Sequence, residues 1–396
     1  MALAKRTPSI KLGKLCHVVT KGTTPTSIGL KFTDSGVPFL RIQNLCDRSV
    51  KLENVLFISE QTHQALKRSI IQPKDFLITI AGTIGRVAIV PDHFPECNCN
   101  QAVAILRFDY EKLNPQYLLH WLNTHDAFAQ ITGRKVTATI SNLSLGQIKE
   151  LEIPLPPLPE QQKIASILEA ADSLRQKDQQ LIEKYTALSQ SLFLEMFGDP
   201  VSNPLGWQMG TSIQYCECIV PGRDKPKSFS GDIPWVTTND LNRLTYTGKS
   251  KKDIGLTEEE VAEVRAKIIP ENSVILTCVG DLGVISINSS PVVINQQLHA
   301  FQCDHINISP IFMMYVLSYQ TPYMYKMASS TTVPYMNKTV CNNIPMIYPS
   351  ITLQNQFAER IQSIEAQKLL AIASLEKSAT LFNSLLQRAF KGELTA

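Results

Sequence analysis

No stretch of the 396-residue sequence is apolar for long enough to cross a membrane as a helix. The longest apolar run, IFMMYVL (311–317), suits a buried helix. The opening MALAKRTPSIK has no apolar segment after its basic residues, so no signal peptide is expected. A cysteine framework is lacking too. Nine cysteines at irregular spacing fit a reducing, cytoplasmic setting. The C-x-C pairs Cys97/Cys99 and Cys216/Cys218 have no second C-x-x-C or nearby H-x₃-H, so free buried thiols are expected rather than zinc. His17, His63, His93, His120, His125, His299 and His305 have no ligand spacing either, and surface or packed side chains are expected. There is no G-x-x-x-x-G-K-[ST] loop for ATP. Nor is there an N-P-P-Y or D-P-P-Y motif to hold a flipped base, because the only Pro-Pro, Pro156-Pro157, follows leucine. With no nuclease-like cluster of carboxylates and lysine in view, the chain reads as non-catalytic by itself.

Net charge is small, +3, but unevenly spread. Residues 1–150 carry net +7, 151–200 net −4, 201–346 net −1 and 347–396 net +1. The third block conceals two basic patches, RDKPK (223–227) and KSKK (249–252), against an acidic run at Glu258–Glu260. Such patches can bind phosphates even where the net charge is near zero, although most charge runs are solvated faces.

What the sequence does contain is a repeat. LIEKYTALSQSLFLEMFG (181–198) matches SLEKSATLFNSLLQRAFK (374–391) at an offset of 193, pairing Glu183 with Glu376, Leu192 with Leu385 and Phe197 with Phe390. The same offset pairs Pro156 with Pro349, Gln161 with Gln354 and Ala165 with Ala358. Upstream, GVPFLRIQNL (36–45) corresponds to DIPWVTTNDL (232–241), and DFLITIAGTIGRVAI (75–89) to SVILTCVGDLGVISI (273–287). CNQAVAILRFD (99–109) likewise corresponds to INQQLHAFQCD (294–304). The chain is two copies of one unit, a globular head followed by a long helix. The boundaries expected are 1–152 for the first head, 153–199 for its proline-led helix, 200–346 for the second head and 347–396 for the second helix.

Each helix has apolar residues at 3-4 spacing over nearly 40 residues, about 58 Å at ~1.5 Å per residue. In the first copy the stripe runs through Ile164, Ile167, Leu174, Leu181, Leu188 and Leu192. In the second it runs through Phe357, Ile361, Ile364, Leu375, Phe382 and Leu386. These are the candidates for helix packing and partner contact, and two such stripes in one chain most simply pack on each other. The run IPLPPLPEQQ (153–162) favours extended backbone at each residue before proline and forbids an early helix. Pro159 then suits the first helical turn, and Glu160 suits the positive end of the helix dipole.

This order of parts resembles the specificity subunit of type I restriction-modification systems. The residues that carry the resemblance are Pro156 to Gln162, EMFGDP (195–200), the segments around Phe39 and Trp235, and the terminal FKGEL (390–394). The second copy departs from it, with Leu353, Gln354 and Asn355 in place of Glu160, Gln161 and Gln162. The resemblance implies an α+β chain in which two similar α/β target-recognition domains are joined by two long antiparallel helices forming a coiled coil. It implies double-stranded DNA as ligand, each head reading half of a split site while the helices set the spacing and bind two methyltransferase subunits. Restriction/translocase subunits are a further partner of such systems. S-adenosylmethionine, with ATP and Mg for restriction, is then expected on the partners and no cofactor on this chain.

If FLRIQN (39–44) forms a strand, Phe39, Arg41 and Gln43 share one face, with Trp235, Thr237 and Asn239 matching them in the second head. Arg41 could take guanine and Gln43 adenine by paired hydrogen bonds, and Asn44 lies alongside. The T-x-x-G-x-x-G segments read first as tight turns, the alternative being backbone approach to a phosphate near Thr83 and Arg86. Asn100 and Asn295 recur between heads, which favours a structural role. Arg134, Lys135 and Lys338 precede each exit from a head and are candidate phosphate contacts. The rival readings are a two-headed coiled-coil scaffold for proteins and the specificity chain of another restriction-modification type.

Overall fold

The computed structural model describes residues 7–46, 48–132, 142–222, 224–329 and 332–394. They form two compact units. One comprises residues 1–177 with 375–396, the other residues 178–374. The boundary between units falls inside both long helices, Leu158–Phe197 and Ile351–Phe390, so each unit owns a head and a part of each helix. The helices are 40 residues each and begin and end 193 residues apart, as the repeat requires. No described helix is long and apolar enough to cross a membrane.

The two heads share one topology. In the first, Cys16–Lys21, Val103–Phe108, Phe76–Thr79 and Val87–Ile89 form an antiparallel sheet in that order. A second sheet orders Leu56–Ile58, Val37–Leu40, Cys97–Cys99 and Ile70–Ile71, with the middle pair parallel. In the second head the larger sheet runs Cys216–Ile219, Leu298–Cys303, Val274–Thr277, Ile285–Asn288, with Tyr246–Thr247 added at its edge. The smaller sheet runs Gly255–Leu256, Ile233–Val236, Val293–Ile294, again with one parallel pair. The strand Phe76–Thr79 is buried on both faces. Phe76 and Ile78 enter the core against the helices, and Leu77 points to a second core under the smaller sheet. Val274 and Leu276 divide from Ile275 in the same way.

Each head is closed by its own ends. Ser9–Lys11 pairs antiparallel with Glu152–Pro154, and Met209–Thr211 with Pro345–Ile347. The chain therefore leaves each head beside the point at which it entered. The helix start is then pinned by a buried glutamine. Gln161, 1% exposed, accepts from the backbone N–H of Asn114 at 2.9 Å and donates to the carbonyls of Pro156 at 2.9 Å and Lys112 at 3.1 Å. Gln354, fully buried, repeats the arrangement with Ser309 N–H at 2.9 Å and the Pro349 carbonyl at 2.9 Å. Tyr117 adds a bond from its hydroxyl to the Pro154 carbonyl at 2.8 Å. The proline run is thus a fixed strut with Pro159 in the first helical turn.

The helix stripe needs a correction. Leu174, Leu181 and Leu188 are 46%, 40% and 49% exposed. The buried face instead passes through Ile164, Leu168, Ala171, Asp178, Ser189, Phe193 and Phe197. A stripe drawn at 3.5 residues per turn drifts about 20° per heptad around a straight helix of 3.6. Ile164, Ala171 and Asp178 stay on the buried face, whereas Leu174, Leu181 and Leu188 lie roughly 80–120° round from Ile164, each about 20° further from that face than the one before. Ile167 and Leu192 are half-buried. In the second helix Phe357, Ile361, Phe382 and Leu386 are buried, while Ile364 and Leu375 are half-buried. In the second unit the two helix segments run antiparallel. Asp178 Oδ1 accepts from the Ser374 hydroxyl at 3.0 Å, and Arg360 approaches Met196 in the same unit.

Removing the clamp should be costly at both ends. Gln161→Ala strands the buried N–H of Asn114, and Gln354→Ala that of Ser309. Each should lower stability by about 1–3 kcal/mol in denaturant unfolding. Exposed Gln162→Ala should change it by less than about 0.5 kcal/mol. Equal effects at positions 161 and 162 would contradict the clamp.

Candidate nucleic-acid interface

The expected strand through Arg41 and Gln43 stops at Leu40, and Ile42–Asn44 is a single 3₁₀ turn. Arg41 and Gln43 therefore do not share a strand face. Asn44 is 1% exposed and serves the backbone. Its Oδ1 accepts from the Arg41 N–H at 2.9 Å, and its amide donates to the carbonyls of Lys51 and Glu53 at 3.1 Å each. Asn44 is therefore unsuited to a DNA contact, because its hydrogen-bonding groups are spent inside the fold. Asp240 holds the equivalent turn in the second head, accepting from Thr237 N–H, the Thr237 hydroxyl and Lys251 N–H, each at 2.7 Å. Burial acts to raise the pKa of Asp240, and these bonds outweigh it and hold the carboxyl below its ordinary value. Around this shared turn the outward groups differ. Arg41 donates to the Asn54 carbonyl at 3.0 Å, whereas Thr237 is spent on Asp240. Gln43 and Asn239 are both exposed.

The T-x-x-G-x-x-G segments are turns. Gly82 and Gly85 have φ of 68° and 87°, and Gly280 and Gly283 both 82°, the left-handed region that glycine tolerates. A threonine closes each turn. Thr79 bonds to the Thr83 carbonyl and accepts from Arg86 N–H at 2.9 Å; Thr277 donates to the Asp281 carbonyl at 2.5 Å and accepts from Val284 N–H at 3.1 Å. The side chains of Thr83 and Arg86 remain exposed. Arg86 lines a groove of about 470 Å³ with Arg48, Gly85 and Asn123.

Arg48 anchors a buried polar cluster. Its guanidinium lies 2.8 Å from Asp172, which also receives Arg175 at 2.8 Å and the Gln176 amide at 2.7 Å. Arg175 in turn sits 5.8 Å over the Phe382 ring. His120 packs against that ring at 6.0 Å, and neither of its ring nitrogens has a hydrogen-bond partner among the described residues. The second unit places Tyr315, Glu365 and Lys368 at the corresponding positions. There Glu365 and Lys368 pair with each other at 3.1 Å.

Of the remaining candidates, Lys338 is exposed at the first turn of the short helix Lys338–Asn342, whose start is capped by Asn337. Arg134 and Lys135 lie outside the described residues. Asn100 and Asn295 each accept a backbone N–H two residues on, from Ala102 at 3.3 Å and Gln297 at 3.2 Å. The cysteines are free, and no group of metal-ligating side chains occurs among the described residues.

A family model described as "Type I restriction modification DNA specificity domain" matches the chain twice, over residues 7–184 and 219–377. The chain belongs to that family. The first match takes in the first head, the second most of the second head from residue 219, and each runs on into the helix that follows. The type I restriction enzyme EcoBI specificity subunit of Escherichia coli is 28% identical over 166 residues, a stretch covering 41% of this chain and 35% of that protein. The putative type I restriction enzyme MjaX specificity subunit of Methanocaldococcus jannaschii is 22% identical over 86% of this chain and 83% of its own length. Among solved structures, the type I restriction-modification S subunit of M. genitalium superposes with a TM-score of 0.61 at 16% identity, covering 98% of both chains. A chain from a structure of type I restriction-modification assembly and conformational transition gives 0.56 at 18%, covering 100% of both. These superpositions establish the fold.

In this specificity chain the cluster of Arg48, His120 and Asp172 was not legible beforehand. Nothing in NLCDR (44–48) signals that Arg48 takes a positive φ of 63° and turns toward a helix more than a hundred residues later. The cluster has a consequence for acid stability. Burial, then the neighbouring Arg48 charge, lowers the pKa of His120 from 6.5 to about 4, and burial lowers His299 likewise to about 4. Both are neutral when folded and accept protons more readily when unfolded. Their contribution is therefore fully present above about pH 6.5 and is lost as pH falls toward 4. The loss should approach about 3 kcal/mol per histidine. His120→Phe should flatten part of the fall in Tm between pH 6.5 and 4.5 relative to the parent. An unchanged slope would show that His120 is not held neutral.

Proposed function

We propose that this chain is the sequence-reading subunit of a type I restriction-modification complex, non-catalytic by itself, with each head binding one half of a split site in double-stranded DNA. The observation that carries this reading is the pattern of sameness and difference between heads. Residues that serve the backbone recur: Asn44 and Asp240, Thr79 and Thr277, Gln161 and Gln354. Other residues on that frame change, from Arg41 to Thr237, Gln43 to Asn239, Thr83 to Asp281 and Arg86 to Val284. Two readers of unlike half-sites need a common frame with different contact groups, since phosphate contacts position a protein and base contacts specify. A scaffold for one kind of protein partner would not need that divergence.

The long helices supply the other function. Leu174, Leu181, Leu188 and Leu194 on the first, with Leu369, Leu370 and Leu381 on the second, are 40–65% exposed. Apolar side chains gathered on one exposed face mark interaction surfaces. We assign them to two methyltransferase subunits, which would carry S-adenosylmethionine. Restriction/translocase subunits would bring ATP and Mg. The helices, unbroken for 40 residues, would serve as the spacer between half-sites. Such a complex would work in the cytoplasm, where the DNA is.

Methylation mapping of a host genome, with the partner methyltransferase always present, tests this directly. A motif of two defined halves around an unspecified gap should appear with the chain and vanish without it. Arg41→Ala should relax one half and spare the other. An active partner whose methylation pattern ignores the chain would overturn the assignment.

A further inference from the structure

Lys225 and Lys252, one from each basic segment of the second head, meet at one cavity. It has a volume of about 440 Å³, and its lining includes Lys225 from RDKPK and Lys252 from KSKK. Among the described residues neither ammonium has an ion-pair partner within 4.0 Å. The half-buried Phe229 and the largely buried Trp235 also line it, their rings tilted 59° with centroids 5.9 Å apart. On the wall, Asn295 donates from its amide to Gln297 Oε1 at 3.1 Å and accepts from the Gln297 N–H, which fixes both amides at the cavity. Among the described lining residues the one carboxylate, Asp240, is spent on Thr237 and Lys251. In the first head, Arg41 stands at the frame position of Thr237 and extends its own guanidinium to the Asn54 carbonyl. The first head thus places a cation where the second has a short side chain beside an open cavity.

Unpaired ammoniums beside aromatic rings and oriented amides match the chemistry of a nucleotide, with phosphate for the lysines and a base for the rings and amides. We propose that this cavity is a nucleotide-contacting site of the second head, taking a base of its half-site. Lys225 and Lys252 hold the flanking phosphates and Thr237 sets the room available, so Thr237 is a specificity-determining residue. The inference rests on the reading of the heads as DNA binders.

The test uses the full chain with its methyltransferase partner. Thr237→Arg copies the first head into the cavity. Methylation mapping should then show the second head's half-site relaxed or lost, with the first half intact. For Lys225→Ala/Lys252→Ala, binding to a duplex of the mapped motif should weaken. The slope of log affinity against log salt should fall in magnitude by about 1.8, close to 0.9 for each phosphate contact removed. If Thr237→Arg disturbs the turn and abolishes all binding, the lysine variant decides by its salt slope. Both half-sites unchanged in Thr237→Arg, or an unchanged slope in the lysine variant, overturns the site while leaving the two-headed reader standing. Absence of any split motif with the parent chain and an active partner removes the reading beneath it, and the site with it.

Discussion

Neither head completes its hydrophobic core alone. In the first unit, Leu118, Trp121 and Phe76 are covered by Ile164, Leu168 and Ala171 of one long helix and by Phe382, Leu386 and Ala389 of the other. In the second unit, Phe312 and Tyr315 pack with Phe193 and Phe197 of the first helix and Phe357 and Ile361 of the second. The contacts are close: Phe197 and Phe312 centroids stand 4.8 Å apart, and Phe357 meets Tyr315 edge-on at 5.1 Å. A helix with only one face to bury is marginal in water, so burial in the heads is what orders the helices. Head and spacer are therefore one folding problem.

That constraint explains the clamp of glutamines. A helix whose first turns form part of a head's core must start at a fixed place and direction. Gln161 and Gln354 provide this by joining the helix start to the backbone that begins a neighbouring helix in the head, at Asn114 and Ser309. Full burial with all partners present makes such a network rigid rather than costly. The surrounding residues were free to diverge. One unit has an arginine–aspartate pair and, beside the helices, a histidine with no hydrogen-bond partner among the described residues; the other has a cluster of stacked aromatics.

Divergence at the outer surface follows the same division. Polar groups turned inward to satisfy the backbone are constrained by the cost of leaving a buried N–H or carbonyl unpaired. Those turned outward carry no such penalty. Arg41 and Thr237 follow strands of the same sheet position and precede turns closed in the same way, yet they present different chemistry. This is the arrangement by which one frame can serve two half-sites.

Much of this was readable from the sequence. The duplication, its offset of 193, the helix starts and the glycine turns all rest on local rules, namely helix periodicity, proline geometry and the left-handed conformations glycine permits. The sequence also marked RDKPK and KSKK as basic, and Gln161 and Gln354 as matched. What it could not decide was which side of each residue faces inward. A stripe counted at 3.5 residues per turn put Leu174, Leu181 and Leu188 in a seam, whereas a helix of 3.6 turns them to solvent. A strand carried four residues too far, past Leu40 to residue 44, placed Asn44 among the candidate contacts, when the chain turns there and buries it. Arg48 finding Asp172, and Lys225 meeting Lys252 at one cavity, depend on packing between segments far apart in the chain. Local pattern determined the elements of this protein. Long-range packing alone chose the faces they present, because burial is a property of neighbours that sequence spacing does not name.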